Sequence, residues 1–234
     1  MTKQERATRT RAALIHSAAR LFEERGYLKA GLTEISAGAG VSRGALTFHF
    51  ETKAAVSGAV EDVAIRALRR AARQASQSQD NSLQAMIDMS HSFAYLLNDD
   101  VVVRAGYRLN CNADLRSGLN LRQQWQSCVQ QLAGLAADEG SLRPEASQEA
   151  LVTTVVATTT GLEVLSWRNS AWLSRSSLAG FWRQLLSAVA TPGAQASTDP
   201  NGTDAVLDQL ASVPRQFGPA PARSAPADPH EATL

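Results

Sequence analysis

Of the eight prolines in this 234-residue chain, seven follow Ala190, and Pro144 is the one that precedes it. Proline removes a backbone donor and clashes with the preceding turn of a helix. A stretch so free of breakers is open to long helices. Its apolar residues recur at helical spacing, as at Leu14, Ala18, Leu21 and Phe22. No segment alternates apolar and polar residues between turn signals, as a half-buried strand does. The predicted fold class is all-α.

The punctuation divides the chain further. Helices are expected over about 4–25, 34–39, 43–48, 53–79, 83–98, 101–112, 119–138, 144–167 and 177–190. Gly26 is expected as a left-handed residue closing the first helix. Thr33, Ser42 and Thr52 are expected as N-caps of the next three. Gly40 takes the turn between the second and third, where a positive φ is cheap. Pro144 is expected in the first turn of its helix, where proline is tolerated. Asp99 and Asp100 are expected to cap the helix at Val101. Residues 191–234, rich in Pro, Ala, Ser and Asp, are expected to form a mostly disordered tail with a turn or two of helix at Asp204 to Leu210. Three parts follow: a head over 1–52, a helical body over 53–190, and the tail over 191–234.

Charge bears on function through its placement. The net charge is +1, yet residues 1–53 hold nine Lys and Arg against five Asp and Glu, and the balance reverses after Ala190. A basic front end points weakly to nucleic acid. Cys111 and Cys128 make neither a disulfide framework nor a metal pattern. No cofactor or metal is expected. The polar, basic start is unlike a secretory signal, and no apolar run reaches membrane-spanning length. A cytoplasmic location is the expectation.

GVSRGALTFHF, from Gly40 to Phe50, carries the functional signal. Val41, Ala45, Leu46 and Phe50 give a short helix one apolar face. Arg43, Thr47 and His49 give it a wet one. In a helix-turn-helix the second helix lies in the DNA major groove, with its N-terminal residues at the base edges. Arg43 is the candidate for base readout, because a guanidinium can bond both O6 and N7 of guanine. Thr47, His49 and Lys53 are candidates for phosphate contacts, and Thr33 and Ser42 are caps within reach of phosphate. Gly44 and Ala45 are small where DNA would come close. Short helix–glycine–helix segments also occur as plain structure. The glycines match neither a dinucleotide fingerprint nor a Walker loop.

TRAALIHSAARLFEERGY and LTEISAGAGVSRGALTFHFETKAAV, within residues 8–60, resemble the N-terminal domain of TetR-family transcriptional repressors. Within that family the chain is similar to the γ-butyrolactone receptors of actinomycetes, whose GVTKGALYFHF is close to GVSRGALTFHF. The resemblance implies a homodimeric repressor that binds a pseudo-palindromic operator in double-stranded DNA. It also implies release by a small molecule and control of secondary-metabolite genes. Relatives place Tyr where this chain has Thr47, and Lys where it has Arg43.

In the body, Phe93, Tyr107, Trp125, Thr158 and Trp167 are candidate walls of an effector pocket. The receptor group places a pocket Trp at Trp125 and a pocket Thr at Thr158. Some receptors carry Gln near the position of Ala64, so a second reading is a pseudo-receptor answering to an antibiotic or its precursor. The resemblance also implies that the last two long helices pair with their copies in a four-helix bundle. Their apolar residues, Leu178 to Val189, would serve equally as core. No Ser/His/Asp or Cys/His set suggests catalysis, and the chain is expected not to be an enzyme. A third reading keeps the helix-turn-helix as structure in a helical enzyme or interaction protein.

Overall fold

The computed structural model describes residues 2–77, 81–116 and 118–212. Three helices make the head: α1 (Lys3–Arg25), α2 (Leu32–Gly38) and α3 (Arg43–His49). The body follows as α4 (Lys53–Gln77), α5 (Ser82–Asp99), α6 (Val101–Cys111), α7 (Leu121–Asp138), α8 (Gln148–Ser166) and α9 (Arg175–Val189). Two further helices, α10 (Pro192–Ser197) and α11 (Asp204–Ser212), end the described chain. Among the described residues there is no strand, only one antiparallel bridge between Leu142 and Ala190. None of these helices is long and apolar enough to cross a membrane.

Most helix starts lie at the capping residues. Ser42 Oγ accepts from the Ala45 amide at 3.1 Å, and Thr52 Oγ1 from the Ala55 amide at 3.0 Å. Asp100 accepts from the Val102 and Val103 amides. Thr33 is a correction. Helix α2 starts two residues earlier, with Gly31 as N-cap and Glu34 reaching back to the Gly31 amide at 3.0 Å. That amide, with Arg25 beside it, holds the Glu34 carboxyl below the usual carboxylate range. Gly40 has the expected positive φ, at 67°. Gly26 has φ 79° but an extended ψ of 158°, so it is not left-handed helical but lies in a region that is essentially glycine's alone. Pro144 is not in a helix. It follows Arg143 in a turn closed by the Ala146 amide on the Arg143 carbonyl, and Ser147 caps α8 instead.

Two cores form. One gathers Leu14, Ile15, Ala18 and Phe22 of α1, Ile35 of α2, Leu46 of α3 and Phe50. It also takes Val56 and Val60 from α4 and Val102, Ala105 and Leu109 from α6. The other begins at Ala64 on α4 and fills the body. The packing boundary therefore runs across α4 rather than at residue 52, and α6 belongs to both sides. Gly106 permits this. A Cβ there would sit 2.6 Å from the Val60 carbonyl oxygen and 2.7 Å from Ala64 Cβ, so the helices cross backbone to backbone.

Residues 191–212, part of the expected disordered tail, are tied to the body. Asp88 accepts from the Thr203 amide at 2.8 Å and from its hydroxyl. Gln84 accepts from the Asp199 amide at 2.6 Å. Arg175 donates to the carbonyls of Asn201 and Gly202. Val206 and Leu210 of α11 are buried. Long-range hydrogen bonds thus order a segment whose composition alone disfavours order. Residues 213–234 of that expected tail lie outside the described residues.

Candidate nucleic-acid interface and effector cavity

Helix α3 is anchored by Leu46, fully buried, and by Phe50, which follows its last turn. That fixes which face is left for a partner. Arg43, Gly44 and Thr47 are exposed, Ala45 and His49 half-buried. Arg43 Nη1 donates to Thr33 Oγ1 at 3.0 Å, so Thr33, although not a cap, shares the outward face with Arg43. The Thr47 hydroxyl donates to the Arg43 carbonyl at 3.1 Å, leaving its oxygen lone pairs outward. Lys53 is held inward at the head of α4. Its Nζ donates to the Leu28 carbonyl at 3.0 Å and lies 4.5 Å from the Tyr27 ring centroid.

Gly44 has open space where a side chain would go, with Ser42 Oγ the nearest atom at 3.9 Å. The protein's own packing does not require glycine at this first-turn position of α3. Phe48 is the residue the sequence reading missed. It is 81% exposed, with its ring edge-on to His49 at 5.2 Å between centroids. The signal was available: at about 100° per residue, position 48 lies roughly opposite Leu46 and Phe50. Leu28, beside Lys53, is 87% exposed on the same head.

In the body, α4, α5, α6, α7 and α8, with Leu173 and Leu178, line a partly open cavity of about 100 Å³. Phe93, Tyr107 and Trp125 line it together, as expected. Phe93 and Trp125 meet with ring centroids 5.1 Å apart. Two expected residues are displaced. Thr158 is off the wall, and its neighbours Thr159 and Thr160 line it. Thr159 accepts from Trp125 Nε1 at 2.8 Å. Trp167 is half exposed and acts one step back, donating from Nε1 to Glu163 Oε1 at 2.7 Å. Glu163, not foreseen, is a buried carboxylate on the cavity wall, paired with Arg122 at 2.7 Å. Burial pushes the Tyr107 hydroxyl far above its ordinary range and the Cys111 thiol up to about 11, so both stay neutral. Cys111 and Cys128 are free. Among the described residues, no group of His, Cys, Asp and Glu is arranged to hold a metal.

The last two long helices divide their apolar residues. On α9, Leu178 and Leu186 are buried in the body, while Phe181, Leu185 and Val189 are half-buried against it. On α8, Val164 and Leu165 remain exposed, as does Trp172 in the 3₁₀ turn Ser170–Leu173.

A three-helix head that presents a short polar helix, carried on a helical body with an aromatic cavity, defines a DNA-binding regulator with a built-in sensor. Residues 14–60 match the family model described as bacterial regulatory proteins, tetR family. The head therefore carries a segment of the kind that family model describes. Over 203 residues it is 29% identical to the A-factor receptor protein of Streptomyces griseus, spanning 86% of this chain and 71% of that one. A solved γ-butyrolactone receptor, described as ArpA-like, superposes with a TM-score of 0.71 at 28% identity, covering 88% of this chain and 98% of the receptor. CprB of Streptomyces coelicolor, solved with its biological operator sequence, superposes at 0.68 with 27% identity, covering 88% and 96%. These relatives are regulators and receptors rather than enzymes.

Proposed function

We propose that this chain is a TetR-type repressor of secondary-metabolite genes that binds operator DNA as a homodimer and responds to a γ-butyrolactone-like effector. One observation carries the DNA reading: Arg43, Thr47 and Phe48 stand exposed around Gly44 on a helix whose other face is locked into the core. Arg43 reads a base edge. Thr33, Ser42, Thr47 and His49 contact phosphate or sugar, and Lys53 supports the loop beside them. Phe48 meets sugar or a thymine methyl. The exposed faces of α8 and α9 pair two copies, and two α3 helices then reach half-sites about one helical turn apart. The likeness to CprB, solved with its operator, and to a γ-butyrolactone receptor supports this reading, and a cytoplasmic location goes with it.

The effector occupies the cavity walled by Phe93, Tyr107 and Trp125. At about 100 Å³ it is small against ligand pockets of roughly 300–1,000 Å³. Entry therefore requires the wall to open. The effector must bind the open, DNA-incompetent state better, because only differential affinity shifts an equilibrium. One observation favours the pseudo-receptor reading. Ala64 is fully buried beneath the Gly106 crossing, with no room for the glutamine that some receptors carry near it.

The test is fluorescence anisotropy on DNA from upstream of the chain's own gene, at two salt concentrations, titrated first with a γ-butyrolactone and then with an antibiotic of the producing strain. The repressor reading expects tight binding that weakens steeply with salt. Release by the lactone supports the receptor reading. Release by the antibiotic alone moves the chain to the pseudo-receptors. Sequence-independent binding with no response to either compound overturns the proposal.

A further inference from the structure

Glu23 stands near the end of α1, in the head, with its side chain 14% exposed. One of its oxygens, Oε2, accepts from Arg104 Nε at 2.9 Å and from Arg108 Nη1 at 2.8 Å. Both arginines belong to α6; Arg104 reaches the cavity wall directly, and Arg108 reaches it through Trp167. Arg104 Nη1 donates to the carbonyls of Leu97 at 2.7 Å and Asn98 at 2.8 Å, and Leu97 lines the cavity. The Arg108 guanidinium lies over the Trp167 ring, 5.0 Å from its centroid. Trp167 in turn donates to the wall carboxylate Glu163. A space of about 10 Å³ sits among these groups, room for about one water.

Apolar side chains would fill such a junction without the desolvation that two arginines and a carboxylate incur. A polar network does something packing does not. Its directional bonds hold one arrangement, and it loses that arrangement when a member is withdrawn. We propose that Glu23 is a positioning residue through which the head senses the cavity, along two routes: Glu163–Trp167–Arg108 and Leu97–Arg104. The inference rests on the effector reading above. An effector that opens the wall displaces Glu163 or Leu97 and draws an arginine away from Glu23. Helix α1 then loses its ionic tie to α6, while their shared apolar core remains. Because α1 shares one core with Leu46 and Phe50, α3 shifts with it.

The first test needs neither effector nor operator. Glu23→Gln and Glu163→Gln remove charges that do not touch each other, and Trp167→Phe keeps the ring over Arg108 while removing the donor to Glu163. Changes at separated, independent sites add. We expect the loss of denaturant midpoint in the Glu23→Gln/Glu163→Gln pair to match that of the worse single variant, not the sum. Additive losses overturn the relay. The second test reads operator affinity with and without a γ-butyrolactone, and lactone binding by quenching of Trp fluorescence. Trp167→Phe and Glu23→Gln should bind lactone as the parent does, yet lose about tenfold or more of its effect on operator affinity. Unchanged coupling, or a loss confined to lactone binding, overturns the proposal. A parent unaffected by lactone would count against the effector reading alone, and the stability cycle would still decide the relay.

Discussion

The outward face of α3 and the wall of the cavity are prepared in opposite ways. On α3 the polar side chains rest in water and hold their own head lightly, Arg43 on Thr33 and Thr47 on the backbone. In the cavity the polar groups hold one another: Trp125 on Thr159, Trp182 on Ser90, and Glu163 between Arg122 and Trp167. DNA can be met by exchanging water for phosphate and base contacts. An effector must first break bonds that the protein makes with itself. The head is a surface ready to bind, and the body is a state waiting to be changed.

The comparison can be tested where its cost is greatest. Truncation after Ala190 strips Asp88 of its Thr203 contacts and uncovers the sites of Val206 and Leu210. It should cost on the order of 5 kcal/mol, seen as a lowered denaturant midpoint. An unshifted midpoint would mean that residues 191–212 merely rest on the body. Trp125→Ala should cost about 3–5 kcal/mol of stability by opening the wall, while the folded fraction still binds operator normally. A matching fall in operator affinity would show that the two regions are not separable.

Arg43→Ala should show the reverse pattern: about 1–3 kcal/mol lost in operator binding and one base position relaxed, with the melting curve unmoved. A destabilised protein would make the bond to Thr33 structural. Thr159→Val leaves the buried Trp125 N–H without its acceptor and should cost about 1–2 kcal/mol of stability, with lactone response altered and DNA binding kept.

The smallest effect concerns pH. Burial lowers the pKa of His91, and Arg175 adds to this, while the Pro200 carbonyl, Asp88 and Asp199 oppose it. The folded chain therefore takes up this proton at lower pH than the unfolded chain does. The stability involved is complete above the ordinary value of 6.5 and is lost as pH falls towards the depressed folded value. Melting should be lower at about pH 5.5 than at about pH 7.5, and His91→Gln should narrow the gap. An identical gap would place the titration elsewhere.

Legibility in the sequence followed the range of the forces. Head features set within three or four residues could be read directly: the Ser42 cap, the turn at Gly40 and the inward Leu46 and Phe50. Thr33 was misread because Gly31 and Glu34 form a competing start three residues apart, and Glu34 also pairs with Arg25. Among three consecutive threonines, one step rotates a side chain by about 100°. The choice of Thr159 over Thr158 therefore waits on the position of Trp125, 34 residues away in sequence. The segment after Ala190 depends on partners about 115 residues earlier, and no local pattern announces them. Glu163 was unreadable for the same reason, since Arg122 lies 41 residues before it.

Phe48 gives the free protein a thermal signature as well as a surface. A ring that is 81% exposed on α3 leaves water when DNA covers it. Removing apolar surface from water lowers the heat capacity of the system. Operator association should therefore grow more exothermic as temperature rises. Part of its affinity should also survive at salt concentrations that screen the arginines, because hydrophobic contact has no counterions to release. Once released, the repressor carries that ring back into water, so the off-state has a hydration cost of its own.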